Sequence, residues 1–305
     1  MTDSFDIAYP DNFSFRHTAR SHGWYALRPF EYDELSASLK YVLCSDSGPV
    51  AATIRDIGGR LRIEVDGKTD QTKMTSAIRH MLRLDDDLEP FYALAEKEEY
   101  LSWVCRHNGG RLLRSATVWE DLIKTICTTN CSWQLTKNMV ANLVEKLGEP
   151  ASGGMHAFPT PQAMAGVTAE FYRAEIRAGY RSPYFAELAA AVVSGQVDPE
   201  SWLTSGLSTP DLKKEMKKVK GVGDYAAENL LKLVGRYDGL ALDSWLRAQF
   251  YKRHNSEKKC PDKKIERHYN KFGPWRGLAI WCDMTESWFD TGNVSDPVLP
   301  NGSSV

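Results

Sequence analysis

A pair of glycines, Gly221 and Gly223, precedes an isolated acid, Asp243, in the stretch KGVGDYAAENLLKLVGRYDGLALDSW, which covers residues 220–245. Glycine in a tight turn lets backbone N–H groups approach a phosphate without an intervening Cβ, at the positive end of a helix dipole. A carboxylate beside such an anionic backbone can stabilise a sugar with oxocarbenium character or orient a water, as in glycoside hydrolysis. These residue types therefore indicate chemistry on a sugar-phosphate chain.

Two short helices are expected to hold the glycine turn, the first capped by Thr209 and ending at Lys220, the second starting near Asp224. Their buried faces are expected to contain Leu212, Met216 and Val219, then Ala227, Leu230, Leu231 and Val234. Five lysines on the first helix add attraction for an anionic backbone: Lys213, Lys214, Lys217, Lys218 and Lys220. An ordinary corner between helices also favours glycine, and Asp243 can act as a helix cap, so these interpretations stay open.

The charge distribution favours a polyanionic partner for the same segment. The chain of 305 residues has a net charge of −2, but residues 211–271 hold 16 Lys and Arg against 9 Asp and Glu. A basic segment within an acidic chain is typical of a localised nucleic-acid contact. Solvated, lysine-rich helix faces are the alternative explanation.

Composition argues against several other classes of protein. No apolar run approaches the roughly 20 residues that span a bilayer, and the acidic start MTDSFDIAYPDNF is not a secretory signal. The six cysteines are dispersed, so we expect reduced thiols in a cytosolic or nuclear setting. Cys127 and Cys131 lie one helical turn apart without a nearby His or Cys partner, which favours packing over metal binding.

Hydrophobic periodicity predicts an α+β, mainly helical chain. ATIRDIGGRLRIEV alternates on either side of Gly58 and Gly59 and predicts a β-hairpin in an N-terminal β-containing domain, residues 1–95. Residues 96–290 predict a helical domain that includes the hairpin segment 209–235. PASGGMHAFPTPQ is predicted as a connector, TAEFYRAEIRAGY as one of four successive short helices, and the tail 291–305 as disordered.

These stretches resemble the helix-hairpin-helix, Gly-Pro-Asp DNA glycosylase superfamily. The chain is most similar to eukaryotic-type 8-oxoguanine DNA glycosylase over most of residues 10–290, and GPWRGLAIW also looks like the bacterial alkyladenine glycosylases. The other matching stretches are NFSFRHT, GGRLLRSATVWEDLIKTICTTNCSW, HAFPTPQAMAG, IRAGYRSPY, VKGVGDYAAENLLKL and LDSWLRAQF. The resemblance implies an antiparallel β domain and two helical subdomains, with a DNA-binding cleft between them.

The resemblance also implies roles for single residues. Asp243 matches the catalytic aspartate, and Asn130 matches the side chain that fills the gap left by a flipped nucleotide. Tyr180 and Arg181 match residues that wedge into the duplex and contact the opposite strand. The backbone amides of Gly221, Gly223 and Ala226 match those that hold a phosphate, and Lys220 is expected to contact the DNA. The carbonyls matching those that bind a monovalent ion, K⁺ or Na⁺, belong to Lys217, Val219 and Val222.

One departure from the family pattern concerns the reaction. Bifunctional members place a nucleophilic lysine two residues after the second glycine of the hairpin, where this chain has Tyr225. A phenol with a pKa of about 10 cannot form the Schiff base that opens the sugar, and Lys220 lies before the turn. We therefore expect Tyr225 as a catalytic-site residue that stacks on the flipped base, while water attacks and an abasic site remains.

A second departure concerns the base pocket. Ile280, Met284 and Asn229 stand where the 8-oxoguanine pocket has its glutamine, phenylalanine and cysteine, and Leu135 replaces an arginine that reads the opposite cytosine. We therefore predict a more apolar pocket, which suits alkylated bases with weakened glycosidic bonds. Its expected lining is Tyr225, Asn229, Ile280, Met284 and Trp133. Oxidised purines such as 8-oxoguanine are the alternative substrates.

The sequence thus predicts a monofunctional, monomeric DNA glycosylase of base excision repair without AP-lyase activity. Its partner would be double-stranded DNA with a modified base, in a bacterial nucleoid or a eukaryotic nucleus. No cofactor is expected beyond the monovalent ion, and Cys260 and Cys282 are too few for an iron–sulfur loop. A non-catalytic protein that binds damaged DNA is the competing class, and a purely structural helical domain is a third.

Overall fold

An antiparallel sheet forms the N-terminal part of the protein in the computed structural model, which describes residues 2–45, 48–67 and 69–290. The strands are β1 (Thr2–Ala8), β2 (Glu31–Asp33), β3 (Ser38–Ser45), β4 (Gly48–Asp56) and β5 (Arg60–Asp66). Their order in the sheet is β1-β5-β4-β3-β2. The predicted hairpin at Gly58 and Gly59 joins β4 to β5, where Ile54 pairs with Ile63.

Helices make up most of the remaining described chain, which confirms the predicted fold class. The α-helices are α1 (Phe15–Ala19), α2 (Gln71–Leu82), α3 (Glu89–Ala95), α4 (Ser102–Arg106), α5 (Val118–Thr128), α6 (Trp133–Leu147), α7 (Pro161–Ala165), α8 (Ala169–Phe171), α9 (Ser182–Val193), α10 (Thr209–Met216), α11 (Asp224–Leu233), α12 (Ser244–His254), α13 (Asp262–Tyr269), α14 (Arg276–Thr285) and α15 (Ser287–Asp290). None of these helices has the length and apolar character that a bilayer crossing needs. The tail predicted as disordered lies outside the described residues.

The segment TAEFYRAEIRAGY is not the single short helix that its periodicity predicts. After α8 the backbone widens into a π-helical turn over Tyr172–Ile176. The turn ends where Arg177 adopts a left-handed conformation with φ 60°. Tyr172 is fully buried and its hydroxyl donates to the carbonyl of Met164 at 2.6 Å. The wider turn therefore lets Tyr172 and Ile176 both enter the core.

A first hydrophobic core joins the sheet to the helices that carry the glycine turn. Its fully buried members include Ile54 and Ile63 of the sheet, Leu122 of α5, Met216 of α10 and Leu230 of α11. Burial of such side chains is the main stabilising contribution, about 1.5–3 kcal/mol for each. This core continues across residue 95, where the predicted domain boundary lies; that boundary stays a prediction.

A second core is formed by α3, α4 and the C-terminal helices α12 to α14, with members such as Phe91, Phe250 and Leu278. Arg83 connects the two cores from the end of α2. Its side chain is 1% exposed and donates hydrogen bonds to the carbonyls of Leu112 at 2.8 Å and Lys232 at 2.7 Å. The two halves thus have a fixed mutual position, and a cleft opens between them.

Candidate active site

The cleft between the two cores has a volume of about 1120 Å³. The glycine turn, α11, the start of α12, the loop before β2 and the chain around α5 and α9 all contribute to its lining. The residues predicted from the sequence that line it are Asn130, Trp133, Tyr180, Lys217, Val219, Lys220, Gly221, Val222, Gly223, Tyr225, Ala226, Asn229 and Asp243. The fold therefore brings together residues that are far apart in the sequence.

The first helix of the hairpin is shorter than predicted, and another residue caps it. Ser208 has the extended backbone of an N-cap, and its hydroxyl accepts a hydrogen bond from the Asp211 amide at 3.3 Å. Thr209 lies inside the helix and donates to Asp238 instead, so the predicted cap was wrong. The helix ends at Met216, because Lys218 and Val219 make tight bonds to the carbonyls three residues earlier.

The glycine turn leaves the first amides of α11 without a side-chain cap. Gly221 has φ +90°, a conformation that favours glycine, and an added Cβ would lie 3.3 Å from side-chain atoms of Ile126 and Tyr184. Gly223 is the N-cap of α11 and has no side chain to offer these amides. Together with the positive end of the helix dipole, this geometry suits an anionic ligand such as a phosphate.

Every lysine of the predicted basic patch has an acidic neighbour. The pairs are Lys213–Glu228 at 2.7 Å, Lys214–Asp211 at 2.7 Å, Lys217–Asp224 at 3.0 Å, Lys218–Glu215 at 2.6 Å and Lys220–Glu187 at 2.5 Å. Exposed ion pairs are each worth up to about 1 kcal/mol, so a phosphate chain can compete for these lysines. The patch is therefore less basic than its lysine count indicates.

Two groups of atoms have the chemistry to hold a cation. The carbonyls of Lys217, Val219 and Val222 lie in the hairpin turn, where Val219 already accepts the Val222 amide at 3.0 Å. Atoms of His254, His268 and Asp283 lie within 4.8 Å of one another, away from the cleft.

The Asp283 carboxylate already binds protein groups. It interacts with the Tyr269 hydroxyl at 2.6 Å, with His254 at 2.7 Å and with the Arg253 guanidinium at 3.2 Å. The arginine supplies the positive charge that a metal ion would bring, so this cluster is best explained as structural.

Asp243 caps α12, since its Oδ1 accepts a hydrogen bond from the Leu246 amide at 2.7 Å. The segment before it is attached to α11 at two points. Glu228 accepts the Ala241 amide at 2.5 Å, and Lys232 donates to the Leu240 carbonyl at 3.1 Å. Because α11 also begins at the glycine turn, one helix fixes the position of both the anion site and the carboxylate.

Tyr225 and Asn229 extend from α11 into the cleft. Tyr225 is 38% exposed, and Asn229 donates from its side chain to the Tyr225 carbonyl at 3.0 Å. Loss of water around the hydroxyl raises the pKa of Tyr225 well above its ordinary value, and the Asp243 carboxylate raises it further. The phenol therefore keeps its proton beside the acid at neutral pH.

Lys232 is a cleft residue that the sequence reasoning missed. It is 3% exposed, and its ammonium lies 5.8 Å from the centre of the Trp281 ring. Burial lowers the pKa of Lys232 to about 8, against the opposing effects of Glu228 and Asp243. The sequence does contain a pattern that places Lys232 in the cleft, because Tyr225, Asn229 and Lys232 are spaced i, i+4, i+7 and therefore share one helix face.

Aromatic residues of the cleft were also missed. Trp245 and Trp281 line it with their ring centres 6.1 Å apart, and His22 and Trp24 line it from the N-terminal loop. Burial lowers the pKa of His22 to about 4, so its imidazole is neutral at physiological pH. Trp24, Trp245 and Trp281 also contact the hydrophobic cores, so their residue type alone does not reveal a place in the cleft.

Asn130 and Tyr180 meet at one edge of the cleft. The Asn130 amide donates to the Tyr180 hydroxyl at 3.5 Å, and Asn130 has φ 48°. Arg181 differs from its prediction, because it is 3% exposed and donates to the Ile126 carbonyl at 3.1 Å. Its guanidinium lies 4.4 Å from the centre of the Tyr180 ring, so it supports the tyrosine and does not reach into the cleft.

The predicted pocket residues Ile280 and Met284 are not in the cleft lining. They are 0% and 2% exposed and belong to the second core. One residue after Ile280, a rotation of about 100° around α14, Trp281 faces the cleft instead. Trp133 does line the cleft, and its indole N–H is buried without a partner among the described residues. An indole ring thus lines the cleft where the sequence predicts the aliphatic side chains of Ile280 and Met284.

Comparison with known proteins gives a consistent group of structural neighbours. No family model matches this chain. A probable N-glycosylase/DNA lyase of Methanothermobacter thermautotrophicus is 22% identical over 237 residues, which are 70% of this chain and 75% of that protein.

Two solved structures cover almost the whole chain. The 3-methyladenine DNA glycosylase from Archaeoglobus fulgidus has a TM-score of 0.75 at 18% identity, over 95% of this chain and 100% of that one. The 8-oxoguanine glycosylase/lyase of Clostridium acetobutylicum has a TM-score of 0.72 at 18% identity, over 92% and 96%. The Clostridium protein is also known bound to double-stranded DNA containing cytosine opposite 8-oxoguanine. At these identities the likeness shows a shared fold.

Proposed function

We propose that this protein is a DNA glycosylase of base excision repair that flips a damaged base out of double-stranded DNA and hydrolyses its N-glycosidic bond. The main observation behind the proposal is that the segment leading to Asp243 is hydrogen-bonded to α11, the helix that begins at the glycine turn. It sets a carboxylate at a fixed distance from an anion-binding helix start, as a reaction on a nucleotide sugar requires. The fold shared with proteins named as DNA glycosylases supports the same conclusion.

In the proposed reaction the amides of Gly221, Gly223 and Ala226 hold a backbone phosphate, with Lys220 nearby. The C1′–N bond breaks, and its electron pair leaves with the base. The Asp243 carboxylate stabilises the positive charge that develops on the sugar and orients a water for attack at C1′. The water loses one proton to the carboxylate or the leaving base, so the products are a free base and an abasic sugar.

The edge formed by Asn130 and Tyr180 has the position and chemistry to enter the duplex. Asn130 would fill the space left by the flipped nucleotide, while Tyr180 would wedge beside it. Their mutual hydrogen bond and the Arg181 guanidinium beneath the tyrosine ring order this edge before DNA arrives. Such order reduces the entropy that binding has to overcome.

The absence of a lysine at position 225 supports hydrolysis without strand cleavage. Tyr225 keeps its proton and lies against Asp243, so it can stack on the base or donate a hydrogen bond but cannot form a Schiff base. Two of the similar proteins carry lyase in their names, which makes the second activity worth a direct test. We further propose a monovalent ion on the hairpin carbonyls, and a location with the DNA in a nucleoid or nucleus.

Base release from duplexes with alkylated, oxidised or deaminated bases tests the proposal, with half of each sample treated with alkali to cleave abasic sites. We expect strand breaks only after alkali. The D243N variant should still bind DNA but should release bases about 100- to 10,000-fold more slowly. Full activity of D243N would contradict the role of Asp243. A wild type that binds these duplexes and releases no base would indicate the non-catalytic alternative.

A further inference from the structure

Lys232 lies at the level along α11 where a bound nucleotide would have its base, beyond the levels of its phosphate and its sugar. The start of the helix holds the glycine turn, and Tyr225 lies beside Asp243 in its first turn. Seven residues further on, about 10 Å along the axis, Lys232 reaches the same cleft. If the phosphate binds at the helix start and the sugar at Asp243, the flipped base extends towards Lys232.

The ammonium of Lys232 has unused hydrogen-bonding capacity. Of its three N–H donors, one is satisfied by the Leu240 carbonyl at 3.1 Å. Within the part of the chain that the structure describes, no carboxylate lies within ion-pair distance of this nitrogen. A buried cation with free donors is costly to the fold, which indicates that a ligand completes its environment.

We infer that Lys232 reads the flipped base by donating hydrogen bonds to it, and that the substrate class is a neutral base with carbonyl or ring-nitrogen acceptors. The inference rests on the proposed function and deepens it. The indole of Trp281 and that of Trp245 offer apolar faces beside this donor, so the pocket combines stacking surfaces with a single cation. Cationic alkylated bases meet a like charge here and are disfavoured.

This role differs from that of a nucleophilic amine. Tyr225 and Asp243 mark the level of the sugar, whereas Lys232 lies two helical turns further along α11, at the level of the base. The lowered pKa of Lys232, about 8, means that the donor is mostly charged at neutral pH and loses its proton in mildly alkaline solution. Glu228, Asp243 and Cys282 are ionisable groups that raise the pKa of Lys232, His22 interacts electrostatically with Lys232, and the Trp281 ring lies beside it.

Two pairs of lesions test the inference, since each pair differs in charge on the same parent base. One duplex series carries 8-oxoguanine or 7-methylguanine opposite cytosine, and a second carries hypoxanthine or 3-methyladenine opposite thymine. The enzymes are the wild type, K232M, and K146M as a matched control on the exposed surface of α6. Base release is measured under single-turnover conditions at pH 7.

We expect the wild type to accelerate release of a neutral base, relative to its uncatalysed loss from the same duplex, more than release of its cationic counterpart, whose glycosidic bond is already weak. K232M should lose about 10- to 100-fold in release of the neutral base, the cost of one charge-assisted hydrogen bond, while cationic release stays equal or rises. K146M should behave as the wild type. Binding of a duplex with a tetrahydrofuran abasic analogue should be unchanged in K232M, because that ligand has no base to read.

Three results would overturn the inference and leave the glycosylase in place. These are undiminished neutral-base release by K232M, a greater wild-type acceleration over uncatalysed loss for the cationic lesions, and a covalent DNA complex trapped by borohydride in the wild type but not in K232M. The last would make Lys232 the amine of a lyase. A wild type that releases no base from any duplex would instead remove the proposed function itself.

Discussion

Two lysines are buried in the part of the chain that the structure describes, one beneath the sheet and one at the cleft, and their surroundings differ. Lys124 is 0% exposed, and its ammonium lies 2.6 Å from the Glu120 carboxylate. The Tyr41 hydroxyl donates to the other oxygen of Glu120 at 2.5 Å. Lys232 is 3% exposed and has the carbonyl of Leu240 as its one acceptor among the described residues.

The difference separates a structural charge from a functional one. The Lys124 ammonium and the Glu120 carboxylate compensate each other's charge, so the pair contributes to a defined packing beneath the sheet. At Lys232 the ammonium lies beside the cleft without a carboxylate partner among the described residues. This arrangement lowers the stability of the fold and is typical of a site that binds a ligand. Substitutions at both sites, and at two further cations, Arg181 and Lys220, test this distinction.

The largest effect on stability is expected for K124M. Removing the ammonium leaves the Glu120 carboxylate buried without its partner, which should lower the free energy of unfolding by about 3–5 kcal/mol. Urea unfolding at pH 7 measures the loss. The double variant E120Q/K124M should recover most of it, because the uncompensated charge is gone. A single variant as stable as the wild type would mean that Lys124 is not structural.

K232M should show the opposite behaviour, with a stability at pH 7 equal to or above that of the wild type. The pKa of Lys232 is lowered from 10.5 to about 8 in the folded protein. The unfolded chain therefore binds more protons between these pH values, and folding regains stability as the pH rises through this window.

The difference in unfolding free energy between wild type and K232M should accordingly rise by about 3 kcal/mol from pH 8 to pH 10.5. Unfolding curves of both proteins across this range check the slope, and K146M provides the control. Parallel curves for wild type and K232M would show that Lys232 is not a strained charge.

Arg181 is expected to have an effect on stability between those of Lys124 and Lys220. Its buried guanidinium donates a hydrogen bond to the Ile126 carbonyl and lies over the Tyr180 ring. R181M should cost about 1–2 kcal/mol of stability, since the Ile126 carbonyl loses its donor. The salt dependence of DNA binding should not change, because the side chain does not reach a phosphate. A reduced salt slope would restore the original prediction that Arg181 contacts DNA.

Lys220 is expected to have the smallest effect on stability. It is 63% exposed in its ion pair with Glu187, so K220M should change the unfolding free energy by less than about 1 kcal/mol. If Lys220 meets a phosphate, the slope of log K against log salt should become less steep by about one. Titrations of a fluorescent duplex at several salt concentrations measure this slope, and an unchanged value would place Lys220 outside the interface.

The sequence predicted those features that depend on local patterns. The β4–β5 hairpin follows from alternation around two glycines, and the helix-hairpin-helix follows from three- and four-residue spacing around Gly221 and Gly223. The N-cap of α10 was predicted one residue too late, at Thr209. Ser208 and Thr209 are both suitable N-cap residues, and the local sequence pattern does not decide between them.

Other features depend on tertiary packing that the chain does not display. Ile280 and Trp281 are adjacent on α14, yet Ile280 lies in the second core and Trp281 faces the cleft; the packing of α14 determines which of the two does so. Likewise, Arg181 is buried because the carbonyl of Ile126, at the end of α5, happens to lie within its reach. A lysine within a helix normally indicates solvent, and the helical pattern of α11 does not show that the Leu240 carbonyl and the Trp281 ring lie around the Lys232 ammonium.

The left-handed backbone of Asn130 restricts which amino acids this position can accept. At φ 48°, most side chains would be strained, and glycine, asparagine and aspartate are the residues that adopt this conformation most readily. Glycine would leave no side chain at the tip of the loop, and aspartate would bring a negative charge towards DNA. Among relatives that keep this loop geometry and this function, asparagine should therefore be almost invariant, even where the neighbouring residues vary freely.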